Sequence, residues 1–158
     1  MHQRSFRTTV AIGGAAVLFG GYLLSAGPAQ AAVSCGGRTP TIVGTAGNDT
    51  LHGTPGDDVF IGRGGNDQIW GGGGNDIVCG GKDDDVFNGG QGNDRVYGGQ
   101  GNDRVYGGRD NDRMYGGQGN DRMYGRQGND RVYGGRGNDF MRGGSGRDDM
   151  QGGPGHDS

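Results

Sequence analysis

At 158 residues the chain has the length of one domain, yet only 29% of it is hydrophobic and 42 residues are glycine, which leaves too little apolar matter for an ordinary globular core. Glycine is not spaced every third residue, so a collagen helix is excluded; composition alone would fit a disordered, low-complexity chain. The formal charge of −3 becomes −5 without Arg4 and Arg7 (13 basic against 18 acidic residues, every acidic one Asp), which argues against a general nucleic-acid binder.

Arg4 and Arg7 precede an apolar run over about 10–26, followed by Pro28 and the small-residue triplet Ala29-Gln30-Ala31. This pattern predicts a secretory signal peptide over 1–31, cleaved after Ala31. The alternative is an uncleaved anchor, since the run is near the lower limit for spanning a bilayer. Cleavage would leave a secreted, extracellular or cell-surface chain with no membrane attachment. In an oxidising compartment Cys35 and Cys79 become a candidate disulfide, contributing about 3 to 4 kcal/mol on the chain-entropy view. A lipid-modified Cys35 is the competing reading, although Ala32 stands where a larger aliphatic residue is expected.

Residues 32–43 read as an N-terminal cap. The phrase CGGRTPTIV at 35–43 has the length of the repeats that follow, with Pro40 where they carry Asp. Atypical terminal units are expected in stacked arrays.

Gly44 opens an unbroken register of nine-residue units running over 44–151, with a partial last unit at 152–158. In the most regular stretch the units read GGQGNDRVY, GGQGNDRVY, GGRDNDRMY, GGQGNDRMY and GRQGNDRVY. The first position is glycine throughout. The sixth is always Asp: Asp49, Asp58, Asp67, Asp76, Asp85, Asp94, Asp103, Asp112, Asp121, Asp130, Asp139, Asp148 and Asp157. The eighth is always apolar, from Leu51 and Phe60 to Met141 and Met150.

Gly, Asn and Asp in the first six positions favour turns and left-handed backbone. The last three positions predict a short strand in which the eighth side chain faces inward and the seventh and ninth outward. Turn and strand together predict a flattened coil with two units per circuit and parallel strands stacked on one another, roughly 30 Å long at the usual strand spacing. Asp49, Asp67, Asp85 and their successors would then line one edge, and Asp58, Asp76, Asp94 and theirs the other. Carboxylates stacked about 5 Å apart repel by roughly 3 kcal/mol per pair at an effective dielectric of 20. A cation between successive turns removes that repulsion. The donors on offer are carboxylate and carbonyl oxygens, which select calcium over zinc or copper, and flexible turns suit calcium better than magnesium. Calcium binding and folding are expected to be one event.

The repeated phrase resembles the RTX (repeats-in-toxin) nonapeptide, glycine-glycine-x-glycine-x-aspartate-x-apolar-x, over 44–158. The resemblance implies an all-β, right-handed parallel β-roll, a solenoid of about six two-repeat coils. It also implies calcium ions held between same-edge turns by the thirteen sixth-position Asp residues and main-chain carbonyls, in at most about eleven inter-turn sites. This chain departs from the pattern at the second position (Thr45, Thr54, Arg63, Arg126) and at the fourth (Asp83, Asp110), which is expected to weaken the turns there. Arg147 at the fifth position makes the C-terminal turns less regular. The toxin and protease activities of the family are not expected of a chain with an N-terminal signal and no added domain.

The central units carry Arg95, Arg104, Arg113, Arg122 and Arg131 at the seventh position, and Tyr97, Tyr106, Tyr115, Tyr124 and Tyr133 at the ninth. These outward columns read either as solubility and ladder packing or as a flat surface for cell-wall or extracellular glycan, anionic polymer or ice. Nucleic acid is not expected as a partner. No enzyme is expected either: beyond the signal there is no Glu, one lysine (Lys82) and two histidines, His52 and His156, none in an arrangement that orients a nucleophile or builds a zinc site. The expectation is therefore a secreted calcium-binding repeat protein. Two alternatives stand beside it: an adhesive glycan binder with purely structural calcium, and a disordered glycine-rich matrix protein.

Overall fold

The computed structural model describes residues 34–158. The predicted signal at 1–31 and the first two residues of the predicted cap lie outside them. All regular structure among the described residues is β-strand: β1 Ile42–Val43, β2 Thr50–His52, β3 Val59–Arg63, β4 Gln68–Gly73, β5 Ile77–Lys82, β6 Val86–Gln91, β7 Arg95–Gln100, β8 Arg104–Arg109, β9 Arg113–Gln118, β10 Arg122–Gln127, β11 Arg131–Arg136, β12 Phe140–Ser145 and β13 Asp149–Gln151. Odd-numbered strands form a seven-stranded sheet and even-numbered strands a six-stranded one, each in sequence order. All pairs are parallel and offset by two units, as in Val96↔Met114 and Tyr97↔Tyr115. The chain is thus a parallel β-solenoid of about six turns, with two nonapeptides per turn.

The interior is one file of eighth-position side chains from the two facing sheets. Phe60, Ile69, Val78, Phe87, Val96, Val105, Met114, Met123 and Val132 are buried, with Ile42, Leu51 and Met141 packed at the ends. Met150 is half exposed because β13 is the last strand of its sheet. The period of two in each strand places this column inward, as expected.

Two features depart from the sequence expectation. Most strands have six residues rather than three, because the Gly-Gly-x that reads as turn stays paired to the next coil, as at Gly99↔Gly117 and Gln100↔Gln118. The bend falls within that pairing, at the second glycine, where Gly99 has φ 120°. Only glycine takes that backbone readily, and a Cβ on Gly99 would overlap the Gly81 carbonyl oxygen one coil back. The second departure lies at the N-terminal end. The outward residues Val59, Ile61 and Ile77 are buried in a second apolar cluster with Cys35, and Cys79 and Tyr97 pack against it. A Cys35–Cys79 disulfide, with Cα atoms 5.9 Å apart, ties segment 34–41 over this face. The bridged reading of the two cysteines therefore holds.

Candidate metal centre

The turn left between strands is short, consisting of the fourth to sixth positions. The solenoid places the sixth-position aspartates in two columns, one per edge. Asp49, Asp67, Asp85, Asp103, Asp121, Asp139 and Asp157 form one; Asp58, Asp76, Asp94, Asp112, Asp130 and Asp148 form the other. In every gap the backbone N–H of one Asp donates to Oδ1 of the Asp one coil further on, at 2.8 to 3.0 Å, giving eleven bonds. Each interior sixth-position residue is therefore a carboxylate for one neighbour and a main-chain donor for the other.

The second carboxylate oxygen is different. Oδ2 of Asp67, Asp76, Asp85, Asp94, Asp103, Asp112, Asp121, Asp130 and Asp139 is buried and has no hydrogen-bond partner. Buried polar atoms are nearly always paired, and leaving one unmade costs about 1 to 3 kcal/mol, more for a charged group. These oxygens lie against the first-position glycine: a Cβ on Gly98 would overlap both Asp103 Oδ2 and the Gly116 carbonyl oxygen one coil on. That is the physical reason the first position is always glycine. It also places an unpartnered carboxylate oxygen and a main-chain carbonyl oxygen at the same glycine.

Burial, more than any other cause, pushes these carboxyls upward, with neighbouring carboxylates adding to it and the backbone hydrogen bond opposing it. Asp76 and Asp121 rise to about 6, Asp85, Asp94 and Asp103 to about 7, and Asp112 to about 8. Asp67, Asp130 and Asp139 move the same way for the same reason. Proton or cation is therefore in demand along both edges at neutral pH.

The donors fit a hard cation. They are carboxylate and carbonyl oxygens, the set that suits calcium. Among the described residues no group of three or more His, Cys, Asp or Glu side chains gathers at one point, so a site built from side chains alone is missing. An ion on these edges would need main-chain carbonyls as well as Asp.

Not all thirteen aspartates are equivalent. Asp49 and Asp58 Oδ2 are hydrogen-bonded to Thr45 and Thr54, and Asp148 and Asp157, in the last turns, are half-buried. Thr45 and Thr54 read in the sequence only as departures from glycine; their contact with the aspartate four residues on gives them a role. The fifth position was also under-read. Its Asn or Asp accepts the N–H of the fifth residue one coil on, as from Asn102 to Asp84 (2.7 Å) and from Asn120 to Asn102 (2.8 Å). This column ties successive coils in the sense opposite to the Asp column. The near-constant Asn was the available signal.

The four other departures adopt the glycine backbone. Arg63, Asp83, Asp110 and Arg126 have φ of 87°, 73°, 73° and 82°, a strained region for side chains larger than Asn or Asp. On the outer faces the tyrosines stack on one another. Ring centroids are 5.0 Å apart for Tyr97–Tyr115, 4.9 Å for Tyr115–Tyr133 and 5.2 Å for Tyr106–Tyr124. Their faces are used within the ladder, and Arg126 lies 4.8 Å over the Tyr106 ring. This is ladder packing rather than a flat aromatic platform. His52 likewise stacks on Trp70, at 4.7 Å.

A parallel solenoid of nonapeptides, with oxygen-donor columns on both edges and one apolar residue per unit inside, defines a calcium-binding repeat architecture. A family model described as RTX calcium-binding nonapeptide repeat (4 copies) matches in seven overlapping windows: 43–78, 52–87, 70–105, 80–114, 88–123, 97–131 and 124–158. Together the windows span 43–158, and the chain belongs to this family. No curated protein matches the chain. No helix among the described residues is long and apolar enough to cross a membrane.

Proposed function

We propose that the protein is a secreted, non-enzymatic calcium-binding protein whose repeat domain folds when it meets extracellular calcium. The observation that carries this reading is the row of buried, unpartnered Oδ2 atoms from Asp67 to Asp139. The domain layout is a cleaved signal at 1–31, a cap at 32–43 and the repeat roll at 44–158. Sixth-position carboxylates and main-chain carbonyls of successive same-edge turns would hold the ions. Bound calcium supplies the positive charge that offsets carboxylate burial and repulsion. Without it the aspartates must either take up protons or leave their buried positions, so the roll and the unfolded chain come close in free energy. Calcium concentrations outside cells are in the range that extracellular modules of modest affinity are tuned to.

Far-UV circular dichroism of the mature chain, with and without millimolar calcium and with magnesium as control, tests the reading. The expected result is a β-strand spectrum that grows strongly with calcium and falls back on chelation. A chain that stays disordered in millimolar calcium overturns it.

A further inference from the structure

Two of the thirteen sixth-position Oδ2 atoms already have donors. Thr45 donates its N–H at 2.6 Å and its hydroxyl at 2.9 Å to Asp49 Oδ2. Thr54 donates in the same way to Asp58 Oδ2, at 2.7 and 2.9 Å. Both contacts span four residues, so each turn is closed by its own atoms. From Asp67 to Asp139 the equivalent oxygen is unpartnered.

The difference follows the backbone at the second position. Where that residue has positive φ, its N–H does not reach the carboxylate. This holds for glycines such as Gly99 and Gly117, at 120° and 121°, and for Arg63 and Arg126, whose aspartates Asp67 and Asp130 both keep an unpartnered Oδ2. Thr45 and Thr54 are not among the positive-φ residues. A β-branched side chain resists the left-handed region, and its hydroxyl adds a second donor. The sign of φ, rather than side-chain size, separates closed turns from open ones, since arginine is larger than threonine and leaves its turn open.

We propose that Thr45 and Thr54 close the first turn of each edge without metal, so that Asp49 and Asp58 take no calcium. The N-terminal coils are then a calcium-independent seed on which later coils are laid down. This rests on the calcium reading above. Ligation at Asp49 or Asp58 would have to displace two hydrogen bonds, whereas at Asp67 and beyond it satisfies an empty acceptor.

Three other features concentrate at the same end. Pro40 lacks the N–H that its column neighbours give to the next Asp, and the Thr41 hydroxyl donates to Asp58 Oδ1 instead, at 3.1 Å. Strand β3 is buried on both faces over Val59, Phe60 and Ile61. The Cys35–Cys79 bridge closes around it. The central coils from β8 to β11 have a single inner file and an outer face of Arg and Tyr, so their stability depends on the edges.

Hydrogen exchange of the full mature chain in chelator at neutral pH tests the seed. Amides of β3 and β5 should be protected there, while those of β7 to β13 exchange freely until calcium is added. Uniform exchange, or uniform protection, overturns the proposal. Calcium stoichiometry of the double variant Thr45→Gly/Thr54→Gly supplies the second readout. It should rise by up to two ions per chain, with β3 protection in chelator lost, while Thr45→Ser/Thr54→Ser keeps the native count. Bound calcium with unchanged stoichiometry in the glycine variant overturns this inference alone. A native chain that binds no calcium overturns the reading on which it rests.

Discussion

Asp103→Asn should act with opposite sign in the two states of the protein. Asp103 Oδ1 accepts the Asp85 N–H at 2.9 Å, and the Asp103 N–H donates to Asp121 Oδ1 at 2.8 Å; an amide oxygen and an unchanged backbone preserve both. What changes is Oδ2, which is buried without a partner and belongs to a carboxyl that burial pushes up to about 7. Holding that group ionised at about pH 8 without metal carries a penalty on the order of 4 kcal/mol at 1.36 kcal/mol per pKa step, and water entering at the turn edge lowers this to about 2 kcal/mol. The neutral amide removes the penalty, so the variant should be more stable than the native chain in chelator by about 2 kcal/mol. With calcium present the amide replaces a charged ligand, and the loss should be about 3 kcal/mol, the scale of removing one member of a buried charge pair. Urea midpoints in millimolar calcium measure the loss; in chelator, the concentration of a stabilising osmolyte at which strand signal appears in circular dichroism measures the gain. A variant destabilised to the same extent in both conditions would refute the idea that uncompensated charge on this column limits folding.

The calcium-free chain should be favoured by acid. The folded-state values of Asp76, Asp85, Asp94, Asp103, Asp112 and Asp121 lie at about 6 to 8, above the ordinary carboxylate value. Their contribution is therefore fully present below about pH 4 and lost as pH rises through 6 to 8; strand signal in chelator that grows with rising pH would contradict this. Replacing Cys35 and Cys79 by Ser removes a bridge of sequence separation 44, and the calcium-loaded chain should lose about 4 kcal/mol in a urea melt on the chain-entropy view. An unchanged midpoint would show that segment 34–41 holds the outer face of β3 without its cross-link.

The columns that were legible in the sequence are those in which one side-chain type meets one requirement. The eighth position had to be apolar to fill a file one residue wide, and Phe60 to Val132 do so. The sixth had to be a short acceptor, and the Asp columns fall on the two edges as the period of eighteen requires. Strand length was misread because Gly99 and Gln100 look like turn by residue type while their backbone pairs with Gly117 and Gln118; pairing belongs to the neighbouring coil and is invisible locally. Thr45 and Thr54 were misread for a related reason. A threonine in a glycine position signals a weakened turn unless one knows that its hydroxyl reaches the carboxylate four residues on. The tyrosine column showed its outward direction, but that its rings would stack at about 5 Å depends on the strand spacing between coils.

Beyond the N-terminal segment, each coil pairs with the one before and the one after, at a fixed offset of eighteen residues. Copy number is therefore adjustable without redesign. Excising 98–115 would join Tyr97 to Gly116 and leave every remaining strand on its own sheet, with its own inner residue and edge. Excising nine residues would send everything downstream to the opposite sheet, where the same inward residue still meets the same file. Length in this molecule can change by whole units while each surviving turn keeps its geometry.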